Sequence, residues 1–300
     1  MKHQNNYIHG LICTALGALS WGLSGTMSQY LFMNYQLNPS WLTMVRMLCA
    51  GGLLFALTFA QKKKAAFCIF KNKRDIIQLI LFSVFGLLFC QYSYLSAIEH
   101  SNSGTATVLQ TLSVVIVPFL VCMTTKKLPD KKEIFSIVLA LAGVYLIATH
   151  GNPGQMVLSG GGLFWGICAA LGAVGYSTLS ERIVADFGSQ AVTGYGMLIG
   201  GIFFSALARP WSFYMPMDAS GLVVLILIIL IGTIGAFMLF LKGVSEVGPQ
   251  KAILIGALEP VSATVISALW LHTNFTPADV IGFVLILATV FLLTAPKEDA

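Results

Sequence analysis

Apolar residues run through this chain in long, nearly unbroken stretches, and polar residues gather in the short segments between them. A bilayer core of about 30 Å needs about 20 helical residues to cross it. Stretches of that order fall near 10–31, 40–60, 76–98, 103–124, 133–149, 160–181, 190–208, 219–241, 251–271 and 278–294. None shows the polar–apolar alternation of a membrane barrel strand, so each is predicted to be a helix. The expected fold is an all-α integral membrane protein with ten transmembrane helices. Met1 to Gly10 forms a short polar start before a full-length span. A cleaved signal peptide would have a shorter apolar core and a small-residue cleavage site, so the first span is read as retained.

Charge orders these spans. Basic residues favour the cytoplasmic side. With the N-terminus placed there, the inside segments hold Lys2, the run from Lys62 to Arg74, Lys126, Lys127, Lys131 and Lys132, then Arg182, Lys242, Lys251 and Lys297. That accounts for fifteen of the 17 Lys and Arg residues, with Arg209 outside and Arg46 within a span. Both termini are expected in the cytoplasm. Composition agrees with a membrane protein: 57% of the residues are hydrophobic and 10% charged, against about 25% charge in soluble domains. The net charge of +5 is spread over connecting loops and forms no stripe, which argues against nucleic acid as a partner. The six cysteines, Cys13, Cys49, Cys68, Cys90, Cys122 and Cys168, are scattered and form no CxxC. They read as small hydrophobes rather than a metal or redox site.

The chain also repeats itself. Tyr94 to Ile147 lies on Phe240 to Leu293 at a constant offset of 146, pairing Leu95 with Leu241, Ala106 with Ala252 and Val144 with Val290. Leu-Gly-Ala at 16–18 recurs at 171–173, which brings Trp21 opposite Tyr176. Each half holds five spans, an odd number, so the second half must enter the membrane from the opposite side. Such inverted repeats are typical of secondary transporters, with the site near the midplane. The expected units are residues 1–150 and 151–300, joined through Gly151-Asn152-Pro153-Gly154 on the outer side.

Several motifs sit within this pattern. They are Leu19-Ser20-Trp21-Gly22 in the first span, Pro39 followed by Val45-Arg46-Met47 in the second, and Ala142-Gly143-Val144 closing the first half. Leu258-Glu259-Pro260-Val261 and Gly282 follow in the second half. In their order and spacing, over residues 10–294, they resemble the drug/metabolite transporter superfamily, EamA type. The resemblance implies a ten-helix bundle that exports or exchanges small metabolites, often amino acids, by alternating access. Two departures from the family pattern are visible. Val114 stands where the second repeat has Pro260, and Lys126-Lys127 and His272-Thr273 replace a Gly-Glu pair.

Charges inside spans mark candidate chemistry. Glu259 lies eight residues past Lys251, about 12 Å into the membrane at 1.5 Å per residue. A carboxylate there is costly unless paired, hydrated or protonated. It is read as a proton-coupling or cation-sensing group facing a wet cavity, or else as a protonated carboxyl bonded to a neighbouring helix. Pro260 next to it removes a helix hydrogen bond. Arg46 can hold a substrate carboxylate through its planar fork, snorkel outward, or tie the bundle together, Glu259 being a candidate partner. Gln91 and Tyr94 share a face of the third span, and Ser103, Thr107 and Gln110 share one on the fourth. Each of these serves equally well as ligand contact or as helix–helix glue. Trp21 and Ser24, with Tyr176 and Ser177 opposite, lie near mid-span and suit a cavity for an apolar or cationic group, or plain core packing. Thr233, between Gly232 and Gly235, marks where the eighth span thins around the cavity and joins Arg46 among the candidate substrate contacts, whereas Gly162-xxx-Gly166 and Gly196-xxx-Gly200 read as close helix contacts.

No His falls mid-span, and neither HExxH nor a GxxxxGK[ST] loop occurs. Neither an enzymatic role nor ATP drive is therefore expected, and no cofactor is implied. The reading is a secondary transporter of small organic solutes in the cytoplasmic membrane. Its substrate would be a small molecule, a zwitterion such as an amino acid suiting one Arg and one Glu. Lipid is the other partner, and a homodimer stays open. The competitors are an intramembrane enzyme on a lipid-linked substrate, a passive channel for small solutes, and a scaffold or receptor bundle.

Overall fold

In hydrocarbon every backbone N–H and C=O must be satisfied within the protein, which favours helices. The computed structural model describes residues 2–117, 131–152, 154, 156–213 and 216–294, and among these all regular structure is helical, with no strand. Cys122, Lys126, Lys127, Pro153, Lys297 and the end of the predicted fourth span lie outside the described residues.

The apolar helices are α1 (Lys2–Tyr35), α2 (Pro39–Lys62), α3 (Lys73–His100), α4 (Ser103–Val117), α5 (Lys131–Thr149), α6 (Gly160–Phe187), α7 (Ser189–Ala208), α8 (Ala219–Val247), α9 (Pro249–Gly256 and Leu258–Trp270) and α10 (Pro277–Thr294). Seven of them, α1–α3 and α5–α8, are long and apolar enough to cross a membrane. The apolar parts of α4, α9 and α10 are shorter and fall at the predicted fourth, ninth and tenth stretches. α1 runs past the predicted 10–31 at both ends, because a helix continues through polar flanks once it has left the hydrocarbon.

Local sequence sets the helix ends. Asn38 caps α2 by accepting from the Ser40 N–H, with Pro39 at a first-turn position whose N–H needs no partner. Asn102, Ser159 and Asp218 cap α4, α6 and α8. Thr276 and Asp279 exchange hydrogen bonds as a capping box ahead of α10. α7 and α9 instead begin after Gly188 and Gly248, each at φ +85°.

Helices pair as α1 with α8, α3 with α6, α2 with α7, α5 with α10, and α4 with α9. Small residues let them approach. A Cβ on Gly17 would stand 2.8 Å from the Phe240 nitrogen, and one on Gly172 only 2.5 Å from the Cys90 Cα. Gly166 abuts Leu109, Gly196 abuts Leu87, and Gly200 abuts Met47, so the Gly-xxx-Gly pairs are tight contacts as expected. The interior holds Leu31, Met47, Phe82 and Leu95. Large aliphatic side chains stand outward instead, Leu207 being 72% and Leu269 76% exposed. A water-soluble monomer rarely shows such a belt, whereas hydrocarbon welcomes it.

Four irregularities interrupt the helices. α3 and α8 each widen into a π-turn, at Phe82–Leu88 and Leu230–Gly235. α4 turns at Leu112, and α9 breaks at Ala257. At the end of the bundle away from the N-terminus, Gln29 of α1 acts as a clasp. Its Oε1 accepts from the Ser103 N–H and hydroxyl, both at 2.9 Å, and its Nε2 donates to Thr273 at 3.0 Å. Nearby, the Tyr35 hydroxyl donates to Asp218. That bond, with others from Gly221 and Ser220, pushes the Asp218 carboxyl down to about 2.

Candidate functional site

Three of these irregular turns contribute to the wall of a cavity of about 320 Å³, through Leu87 of α3, Thr111 and Ser113 of α4, and Gly256 and Ala257 of α9, while α8 reaches it with Phe237 just past its π-turn. One wall is aromatic. Trp21 of α1 meets Phe237 edge-on at 5.1 Å and Phe240 at 4.7 Å, and Tyr176 of α6 stands 6.4 Å from Phe237. The polar part of the lining comes from Arg46, Gln91, Tyr94, Thr107, Gln110, Ser113 and Glu259.

Each polar group has a structural reason for its place. Tyr94 and Thr107 exchange a hydrogen bond at 2.8 Å, tying α3 to α4. The Gln110 amide donates to the Cys90 Sγ at 3.2 Å. Glu259 lies in the first turn of the helix that restarts after Ala257, where the helix dipole favours negative charge. Pro260 falls in that same turn, so its missing N–H interrupts no continuous ladder there. In an unbroken helix Pro260 would face the Gly256 carbonyl, and Gly256 lines the cavity. Neither the Gln91 amide nor the Glu259 carboxylate makes a hydrogen bond within the protein among the described residues, and both line the cavity.

Arg46 is 4% exposed. Its Nε donates to the Thr233 hydroxyl at 2.8 Å and its Nη2 to the Gly232 carbonyl at 3.3 Å. Its Nη1 is buried and has no hydrogen-bond partner among the described residues. Arg46 and Glu259 share the cavity but form no ion pair among the described residues. The guanidinium therefore neither snorkels nor pairs with Glu259; it is held by α8.

Of the twelve residues singled out by sequence, Trp21, Arg46, Gln91, Tyr94, Thr107, Gln110, Tyr176, Ser177 and Glu259 line this cavity, and Ser103 is held instead in the Gln29 clasp. Ser24 and Thr233 do not line it; they lie behind its wall. The Ser24 hydroxyl is buried against Gly232, where an added Cβ would come within 2.3 Å of Ser24. Thr233 is fully buried and bonds to Arg46 and to the Ile228 carbonyl. Phe237, Phe240, Cys90 and Ser113 line the cavity without having been singled out. A signal for three of them existed, since the 146-residue offset carries Gln91, Tyr94 and Ser113 onto Phe237, Phe240 and Glu259.

A bundle of membrane-length helices around one polar–aromatic cavity defines a multi-pass helical membrane protein with an internal solute-sized site. The EamA-like transporter family model matches residues 8–149 and again residues 160–295, and the chain belongs to that family. The chain is similar to the uncharacterized inner membrane transporter YicL of Salmonella typhimurium, 35% identical over 285 residues that cover 95% of each chain. It is also similar to the uncharacterized transporter YyaM of Bacillus subtilis, 26% identical over 81% of this chain and 80% of that one. A crystal structure of a protein 15% identical superposes at a TM-score of 0.60 over 96% of each chain, a likeness of fold alone.

Proposed function

We propose that this protein is a secondary transporter of the inner membrane that exports or exchanges small organic metabolites such as amino acids. Two five-helix units, residues 1–150 and 151–300, face opposite ways across ten membrane helices and rock about the cavity. The observation that carries this reading is the pairing of the irregularities. At the 146-residue offset, the π-turn of α3 falls at 228–234 and overlaps that of α8 at 230–235, and the turn of α4 falls at 258, one residue from the break of α9. Interrupted helices at matching places in two halves are where transporters build their midplane sites. The helix pairs also form two exchanging sets, α1 with α8 against α6 with α3, while α2–α7 and α5–α10 map onto themselves.

Within this scheme a zwitterion fits the cavity, its carboxylate towards Arg46 and its ammonium towards Glu259, with the aromatic wall taking an apolar side chain. Glu259 doubles as the proton-coupling group, because its carboxylate lines a cavity rather than a fixed ion pair. Solute counterflow in proteoliposomes tests the proposal. Vesicles loaded with an unlabelled amino-acid mixture are expected to accumulate labelled amino acid transiently and saturably. Flux that rises linearly without counterflow marks a passive channel instead, and chemical conversion of the solute marks an enzyme.

A further inference from the structure

The sequence reading groups Thr233 with Arg46 as a substrate contact, yet the two stand in series. Thr233 is fully buried behind the wall, and Arg46 lies between it and the cavity. The hydrogen-bond directions are fixed. The Thr233 hydroxyl has one proton and gives it to the Ile228 carbonyl at 3.0 Å, so towards Arg46 it can only accept. The second acceptor comes from the π-turn. In an α-helix the N–H of Ala236 would bond to the Gly232 carbonyl. Here it goes to the carbonyls of Ile231 and Thr233, and the Gly232 carbonyl takes Nη2 of Arg46. Gly232 must lack a side chain, because Ser24 of α1 fills that space. Two of the three guanidinium nitrogens are thereby clamped, and the third, Nη1, is buried with no hydrogen-bond partner among the described residues.

A buried, unpaired donor on a permanent cation is among the costlier groups a protein can hold. Glu259, in the same cavity, does not pair with it.

We propose that the widened turn of α8 is a positioning device: Thr233 and the Gly232 carbonyl hold the Arg46 guanidinium so that its Nη1 stays vacant, and that vacant donor takes the carboxylate of the carried solute. The inference rests on the transporter reading of the cavity and narrows it to carboxylate-bearing solutes. Thr233 is a positioning residue rather than a contact. Lysine is no substitute for Arg46, since one ammonium cannot satisfy both acceptors on α8 and still present a donor at the same place.

The test uses the full chain in lipid nanodiscs and a panel of amino, keto and aromatic carboxylic acids, each paired with its own primary amide. Binding is read by intrinsic tryptophan fluorescence. In the wild-type protein at least one acid is expected to bind about tenfold or more tightly than its amide. Thr233→Val, close in shape but unable to accept, is expected to bring that ratio towards one, and Thr233→Ser to restore it. Arg46→Lys is expected to abolish the preference with Thr233 intact, which keeps the test decisive should the valine variant fail to fold. The proposal is overturned if no acid in the panel outbinds its amide, or if folded Thr233→Val or Arg46→Lys keeps the wild-type ratio. Acid preference without counterflow would remove the transporter reading and leave the carboxylate site standing. Counterflow of a solute that has no carboxylate would do the reverse.

Discussion

Glu259 concentrates the electrostatic argument at the scale of single residues. Its carboxylate lines the cavity and makes no hydrogen bond among the described residues, and in the proposed alternating-access cycle a group so placed takes up and releases a proton. Glu259→Gln removes the titratable proton and keeps the shape. Uptake driven by a pH gradient in vesicles is expected to vanish in that variant, while solute exchange continues. An unchanged response to the gradient would take Glu259 out of the coupling step. Arg46 and Glu259 were legible in the sequence because a charge inside an apolar run has large contrast. The hydroxyls of Ser24 and Thr233 signalled burial, yet a hydroxyl fits a cavity wall and a helix contact equally well. Phe237 and Phe240 had no contrast at all, being aromatic rings within an apolar stretch.

Among elements, the glycines that bring helices together offer a graded test. Gly172→Ala would place a methyl 2.5 Å from the Cys90 Cα, so α6 must move off α3. Overpacking of this kind costs about 1–3 kcal/mol, and the variant is expected to melt at a lower temperature. Gly52→Ala meets nothing within 4 Å and removes a helix-interior glycine, so it is expected to keep or raise the melting temperature. Gln29→Leu should also lower it. The buried Ser103 N–H would lose its acceptor, while its hydroxyl would keep only Thr26 at 3.3 Å, a loss of about 1–3 kcal/mol for a buried group left unpaired. Asp218→Asn tests the neighbouring clasp through pH. The folded carboxyl titrates below its usual value, so its stabilisation is complete above about pH 4 and fades as the pH falls towards 2. The gap in melting temperature between wild type and variant is expected to be widest at neutral pH and to close over that acidic range.

Helix positions followed from hydropathy because the period of apolar runs reports directly on membrane thickness. The helix interruptions were less legible. Pro260 hinted at the break in α9, but α4 turns at Leu112 without any proline, and glycine and threonine in α8 are compatible with an ordinary helix. π-turns depend on what packs against them, here Ser24 and Arg46, and that information lies in other helices.

For the whole molecule, the internal repeat was visible as a weak sequence offset. It gains weight from the irregular turns, which the same offset brings to within one or two residues of one another, since two π-turns and two helix breaks have no reason to fall so close in unrelated segments. In the proposed two-fold arrangement, ten crossings and a positive-inside bias would put both ends of the chain in the cytoplasm and the linker between the halves outside. Epitope tags at the N-terminus, at Asn152 and at the C-terminus, probed by antibody on spheroplasts before and after permeabilisation, measure this arrangement directly. The two-fold account predicts that the Asn152 tag reacts on intact spheroplasts and that both terminal tags react after permeabilisation alone. Terminal tags on opposite sides of the membrane, or an Asn152 tag on the same side as both ends, would contradict it.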